Sequence, residues 1–490
     1  MIILEFYISS FYTTKVFFLK GEIMALFLTA CLLLVVGYIV YGSFVEKVFG
    51  ADFNKKTPAV KYHDGVDYVV LPSYKIFLIQ FLNIAGLGPV FGALMGIIYG
   101  PVALLWIVFG CIFAGAVHDY LSGMISLRYK GQSLIFLIEK FFGRKFKFLF
   151  MLFLGFFLIL VGAVFAMNPA TMLADIFKTD FIYLITLIFG YYFLATLLPI
   201  DKIIGRFYPL FALLLIGVTV SLIVALFSSD LTFYSNLSLS SQHPEGKSFF
   251  PIMFVTIACG AISGFHATQS PMMAKCIKNE KQGRPIFYGA MITEGFVALV
   301  WATLGIAFYQ NSSALSSVLS SVGPGGAIKE ISTSLLGSLG GILALLSVVV
   351  LSITSGDTAF RSARLILAEC FNLPQKKLEK RVIASVLVLG AGILLSFLDL
   401  TFIWTYFGWA NQILATVTLF VCAVYLREKK KNYWIALVPG LFMLTVCFCY
   451  ILNQKIGFNL DLITSSVVSI ILMLCFFIMF FKSKKRIKKS

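Results

Sequence analysis

Four ionisable residues fall inside stretches that are otherwise apolar: the neighbours His118 and Asp119, then His266, then Glu294. A charge within hydrocarbon is costly, so such residues pair with one another or line a path for ions or substrate. Burial favours the uncharged form of a carboxylate, which suits it to take up and release protons, and a neighbouring imidazole can relay them. On this basis His118, Asp119 and Glu294 are assigned to proton coupling. The structural alternative is a satisfied pair at the membrane edge, joining Asp119 or Asp357 to Arg128, Arg361 or Arg364.

A second group offers oxygen. Ser352, Thr354, Ser355 and Asp357 lie on adjacent turns of one apolar segment, and hard cations prefer such ligands. With the Ala85 carbonyl they form a candidate cation site. Against it stands the habit of Ser and Thr in apolar helices of bonding their own i−4 carbonyl. A third group, Asn411 and Gln412, sets two amides among aromatics, either as substrate contacts or as glue between helices.

These residues gather around two interrupted segments. Residues 76–98 are broken at Ala85-Gly86-Leu87-Gly88-Pro89, and residues 250–276 are broken from Gly260 to Pro271. Broken helices in corresponding halves point to the binding site of a secondary transporter, because irregular backbone at that depth must line a cavity or be buried in protein. Pro89 and Pro271 each suit the first position of a half-helix, whose positive end favours an anion such as a carboxylate. If instead the prolines merely kink continuous helices, this inference fails. Asn83, Gly86, Gly88, Gly264, Phe265, His266, Thr268, Gln269, Asn411 and Gln412 are the candidate substrate-binding residues. Gly88, Gly92, Gly96 and Gly100 recur every fourth residue and predict a smooth helix face for close packing.

The elements that hold these residues are transmembrane helices. The 490 residues are 60% hydrophobic and 12% charged, outside the range of a soluble domain. Spans are predicted near 25–44, 76–98, 102–126, 147–168, 181–198, 207–227, 250–276, 286–309, 335–355, 382–398, 403–425, 433–452 and 463–481. That is about thirteen by the length criterion. Basic residues crowd alternate loops, which places the N-terminus outside and the C-terminus in the cytoplasm. The same distribution accounts for the net charge of +17 without nucleic acid. Counting from residue 76, five crossings separate the breaks, so the halves 76–227 and 250–425 form a five-plus-five inverted repeat. One helix precedes this core, two follow it (433–481), and a basic tail, 482–490, closes the chain. Met24 reads as the natural start, with the preceding residues an upstream extension; intact mass spectrometry checks this. The nine cysteines lie mostly in spans, without CxxC or Cys/His spacing, and imply neither disulfides nor a metal site. No catalytic constellation, nucleotide loop or cofactor motif is present, and an enzyme is not expected.

Several stretches resemble the carbon starvation protein family of bacterial inner-membrane transporters. They are His63-Asp64-Gly65-Val66-Asp67-Tyr68, Asn83-Ile84-Ala85-Gly86-Leu87-Gly88-Pro89, Gly115-Ala116-Val117-His118-Asp119-Tyr120, Ser263-Gly264-Phe265-His266-Ala267-Thr268-Gln269-Ser270-Pro271, Thr354-Ser355-Gly356-Asp357-Thr358-Ala359-Phe360-Arg361-Ser362-Ala363-Arg364 and Phe407-Gly408-Trp409-Ala410-Asn411-Gln412. The resemblance implies the amino-acid/polyamine/organocation superfamily and its inverted-repeat fold. It also implies uptake of short peptides during carbon starvation or, in some members, proton-driven import of pyruvate. The expectation is an all-α, multi-pass inner-membrane importer of a carboxylate-bearing nutrient, peptide favoured over pyruvate, driven by protons or, less favoured, by sodium. A channel or a non-transporting sensor is the competing class; polar groups clustered at mid-depth do not line a continuous pore.

Overall fold

Apolar runs of this length become helices because a bilayer offers no water to free backbone groups, and a helix satisfies them internally. The computed structural model describes residues 22–63, 68–197, 200–229, 238–309, 311–371, 373 and 377–482. Among them every regular element is helical. In chain order these are α1 (Glu22–Phe49), α2 (Ser73–Ile84), α3 (Gly88–Tyr99), α4 (Val102–Arg128), α5 (Leu134–Phe142), α6 (Arg144–Phe177), α7 (Phe181–Leu197), α8 (Ile200–Ser228), α9 (Ile252–Thr256), α10 (His266–Ala274), α11 (Glu280–Phe308), α12 (Ser312–Cys370), α13 (Leu378–Leu395), α14 (Leu400–Glu428), α15 (Trp434–Asn453) and α16 (Leu462–Lys482). Nine of the described helices are long and apolar enough to cross a membrane, and the bent pair α2–α3 adds a tenth. Residues 1–21 of the expected upstream extension, residues 64–67 of the first family stretch and the tail beyond 482 lie outside the described residues, while residues 22 and 23 of that expected extension are helical and begin α1.

Helix starts follow local chemistry. Asn311 caps α12 by accepting the Ala314 N–H at 2.8 Å, and Asp399 caps α14 by accepting that of Phe402 at 2.9 Å. The structure departs from expectation in the stretch 310–334, which the sequence reading leaves as a loop. From Ser312 it is helical and continuous with α12, bent where Gly323 and Gly337 adopt φ of +68° and +70°. Only glycine takes that conformation without strain, so the two bends are written into the sequence. Residues 312–337 lack the apolar period of a span, which is why they read as loop.

One ion pair ties four helices together. Glu280 accepts from Arg128 Nη2 at 3.0 Å, Arg128 Nε at 3.2 Å and the Asp52 N–H at 2.6 Å. Arg128 also donates to the Tyr425 hydroxyl and covers the Phe49 ring, joining α1, α4, α11 and α14. Arg128 is thereby engaged away from Asp119, its proposed partner in the structural alternative. Glu280 is 1% exposed, so Glu280→Ala strands a guanidinium that retains a little water, at a cost of about 3 kcal/mol. A lowered thermal midpoint in detergent is the expected readout; an unchanged midpoint would reduce the pair to a surface contact.

Candidate functional site

The first break is as the sequence predicts. Helix α2 ends at Ile84, α3 begins at Gly88, their axes turn by 56°, and Pro89 lies in the first turn of α3. The second break is displaced. The irregular backbone runs over 257–265, α10 starts at His266, and Pro271 lies inside α10 and not at its start. Thr268 and Gln269 are therefore helical. The physical reason lies on α14, whose amides seize the preceding backbone: Asn411 Oδ1 accepts the Phe265 N–H at 2.9 Å, and Gln412 Nε2 donates to the Ile262 carbonyl at 3.1 Å. Gly260, with φ of +90°, completes the turn.

The glycine face of α3 is where the breaks meet. A Cβ on Gly88 would sit 2.0 Å from Cys259 Cβ, one on Gly92 2.7 Å from the Thr256 carbonyl, and one on Gly96 2.2 Å from Ile257 Cγ1. These separations are below van der Waals contact, so the face packs as closely as the spacing anticipates, against backbone at Gly92 and against side chains at Gly88 and Gly96. Gly100 faces Gln242 instead. Gly86 lies beside Phe165 of α6 and 3.4 Å, measured from its ideal Cβ position, from Ser355 Oγ. Phe165 in turn packs edge-on against Phe265 with ring centres 6.3 Å apart, so one aromatic bridges both breaks.

The ionisable residues converge on the second break. His266 Nδ1 donates to Asp119 Oδ2 at 2.8 Å, and His118 Nδ1 donates to Asp119 Oδ1 at 2.7 Å. His266 Nε2 lies 3.4 Å from Glu294 Oε2, while Glu294 Oε1 accepts the Gly260 N–H at 3.1 Å. All four side chains are 0% exposed. Helices α4 and α11, equivalent in the expected repeat, thus supply one carboxylate each to an imidazole held between them. Asp119 is paired with histidines, not with an arginine.

The remaining candidates divide. Asn83 keeps both amide atoms without a hydrogen bond although fully buried, as does Gln80 one turn earlier on α2. Gln269 Oε1, Gln412 Oε1 and Ser355 Oγ are likewise buried and unbonded. By contrast Ser352 Oγ donates to the Phe165 carbonyl, Thr354 Oγ1 to the Leu351 carbonyl, and Asp357 lies 3.7 Å from Arg361 and 3.5 Å from the Tyr208 hydroxyl. Ala85, which caps the C-terminal end of α2, donates its N–H to the Phe81 carbonyl. Gly264 is small because α14 presses on it: its Cβ would meet the Asn411 carbonyl and the Ala415 nitrogen at 2.4 Å. Sequence reasoning missed Gln80, Cys259 and Ser263. Gln80 carried a signal, since it shares a helix face with Asn83 at i−3, and Ser263 carried one by lying within the predicted break; Cys259 carried none. Because Asn411 braces the break, Asn411→Ala orphans the Phe265 N–H and is expected to cost about 1–3 kcal/mol. Thermal unfolding in detergent measures it; a neutral effect would return Asn411 to the role of substrate contact.

A cavity of about 250 Å³ reaches α10 from the side of the basic loops. Thr268, Pro271, Gln132, Lys275 and Arg361 are among its walls. Glu369 lines it together with these two cations, and its residues from α10, Ala267, Thr268, Pro271 and Met272, follow the second break in the chain.

The sequence profile described as carbon starvation protein CstA matches residues 22–176, 166–317 and 318–449. The chain belongs to the carbon starvation protein family. A membrane protein of Haemophilus influenzae is 44% identical over 340 residues, spanning 59% of this chain and 92% of its own. The peptide transporter CstA of Escherichia coli is 26% identical, spanning 85% of this chain and 78% of its own, and that of Bacillus subtilis is 26% identical over 93% and 95%. The pyruvate/proton symporter BtsT of Escherichia coli is 30% identical over 54% of this chain and 46% of its own length. Among solved structures, a manganese transporter of Eremococcus coleocola superposes with a TM-score of 0.57 at 15% identity, over 87% of this chain and 99% of that one. That likeness extends to the fold alone. The family member described here is thus an all-helical, multi-pass membrane protein whose relatives include named transporters.

Proposed function

We propose that the protein is a secondary transporter of the bacterial inner membrane, with its N-terminus outside and C-terminus in the cytoplasm, that imports a small carboxylate-bearing nutrient between its two breaks. Short peptides are the first reading, coupled to proton entry. The observation that carries it is the meeting of the breaks beside buried, unbonded amides and the Asp119–His266–Glu294 chain. Such amides suit a peptide's own N–H and C=O groups, and the start of α10 suits a carboxylate. Relatives named as peptide transporters are matched over most of their length. Alternating access follows from two five-helix repeats rocking about a fixed site.

Pyruvate is the second reading, favoured by the proton symporter among the relatives and by the modest cavity. The proton is preferred to sodium because the buried Asp119–His266–Glu294 chain offers carriers for one, whereas Asp357 faces an arginine and is a weaker ligand for a cation. Proteoliposomes given labelled dipeptide or pyruvate under a proton gradient, a sodium gradient or neither provide the test. Saturable dipeptide accumulation under the proton gradient alone is expected. Accumulation of pyruvate instead would transfer the assignment to the second reading, and gradient-independent flux of both would favour a channel.

A further inference from the structure

The second break gathers a thiol, an imidazole and a carboxylate that no sequence spacing joins. Cys259 Sγ, a ring nitrogen of His266 and a carboxylate oxygen of Glu294 all lie within 4.8 Å of one another, each on a buried residue. Two of these atoms, His266 Nε2 and Glu294 Oε2, form no hydrogen bond although fully buried. We propose that Cys259, His266 and Glu294 form a binding site for a borderline-soft divalent transition metal of the Zn²⁺ class.

Three features of the geometry support this. Two ligands bound at about 2.0 Å at the tetrahedral angle stand about 3.3 Å apart, and His266 Nε2 and Glu294 Oε2 are 3.4 Å apart. The outer shell is also in place: His266 donates Nδ1–H to Asp119, which fixes the tautomer and turns the Nε2 lone pair inward. Glu294 is oriented by the Gly260 N–H on Oε1, leaving Oε2 free to bind. Cys259 Sγ, which now donates to Ser263 Oγ at 3.4 Å, needs a shift of the order of 1 Å to reach a ~2.3 Å metal bond. Thiolate and imidazole select such a metal over Mg²⁺ or Ca²⁺, which demand oxygen. Three protein ligands leave the fourth position open. The metal takes the same lone pairs that a proton on this chain would use, so the two occupants exclude each other.

Binding is tested with Co²⁺ and Zn²⁺ on the full chain in detergent, without reference to transport. Co²⁺ is expected to give a thiolate-to-metal charge-transfer band that Cys259→Ser abolishes and Cys475→Ser, at an exposed thiol, leaves intact. Zn²⁺ is expected to raise the thermal midpoint, and Asp119→Asn, one shell out, to weaken binding about 10–100-fold. Glu294→Gln should remove the Zn²⁺ shift and serves alone if Cys259→Ser does not fold. A Co²⁺ spectrum without the thiolate band, or one unchanged by Cys259→Ser, would overturn the proposal, as would a Zn²⁺ shift that survives Glu294→Gln.

Discussion

Protein carrying Glu294→Gln, reconstituted under an inward proton gradient, is expected to equilibrate its substrate without concentrating it. The amide keeps the shape of the carboxylate and can still accept the Gly260 N–H through its oxygen, so the fold should survive. What it cannot do is exchange a proton with His266. With one proton per substrate, one pH unit of gradient is worth about 1.4 kcal/mol, or roughly tenfold accumulation. The wild-type protein should approach that ratio, and the variant should stay near unity while exchange of labelled for unlabelled substrate continues. A variant that still concentrates substrate would remove Glu294 from the coupling path and leave the carriers as Asp119 and the histidines.

Gly88→Ala should disable the protein through packing. The new Cβ would stand 2.0 Å from Cys259 Cβ and 2.3 Å from its sulfur, where neither break has room to retreat. Overpacking of this kind costs about 1–3 kcal/mol, and a larger side chain costs more. Removing the opposing atoms should reverse it: Gly88→Ala with Cys259→Gly is expected to regain at least half of the lost thermal stability. The two substitutions would then couple strongly, as contacting residues do. Additive effects in that double-mutant cycle would show that the breaks do not touch as described.

Much of this arrangement was legible in the residues, and for identifiable reasons. Pro89 behind a Gly-Leu-Gly run can open a helix but not continue one, so the first break was readable from local chemistry. The four-residue glycine period named a contact face before its partner was known. Pro271 misled because proline marks a helix start only when the backbone before it is free, and here Asn411 and Gln412 impose the break five residues earlier. Those bonds join residues about 150 apart in sequence, beyond the reach of any local pattern. Cys259 escaped for the same reason. Its spacing of seven from His266 resembles no ligand motif, and only the turn through Gly260 folds it back toward the ring. The ionisable residues were legible singly, since each is anomalous in hydrocarbon, but not their order along a chain.

The two breaks are chemically unequal. Residues 80–89 contain no group that titrates, only two amides, apolar side chains, glycines and a proline, whereas the second break leads into an imidazole gripped by carboxylates from two different helices. A single added or removed charge on His266 is therefore felt by α4 and α11 at once, while α2 and α3 register it only as a change in the surface they lean on. Under the proposed proton coupling, the first break would give the recess its contour and the second would be the place where the gradient acts.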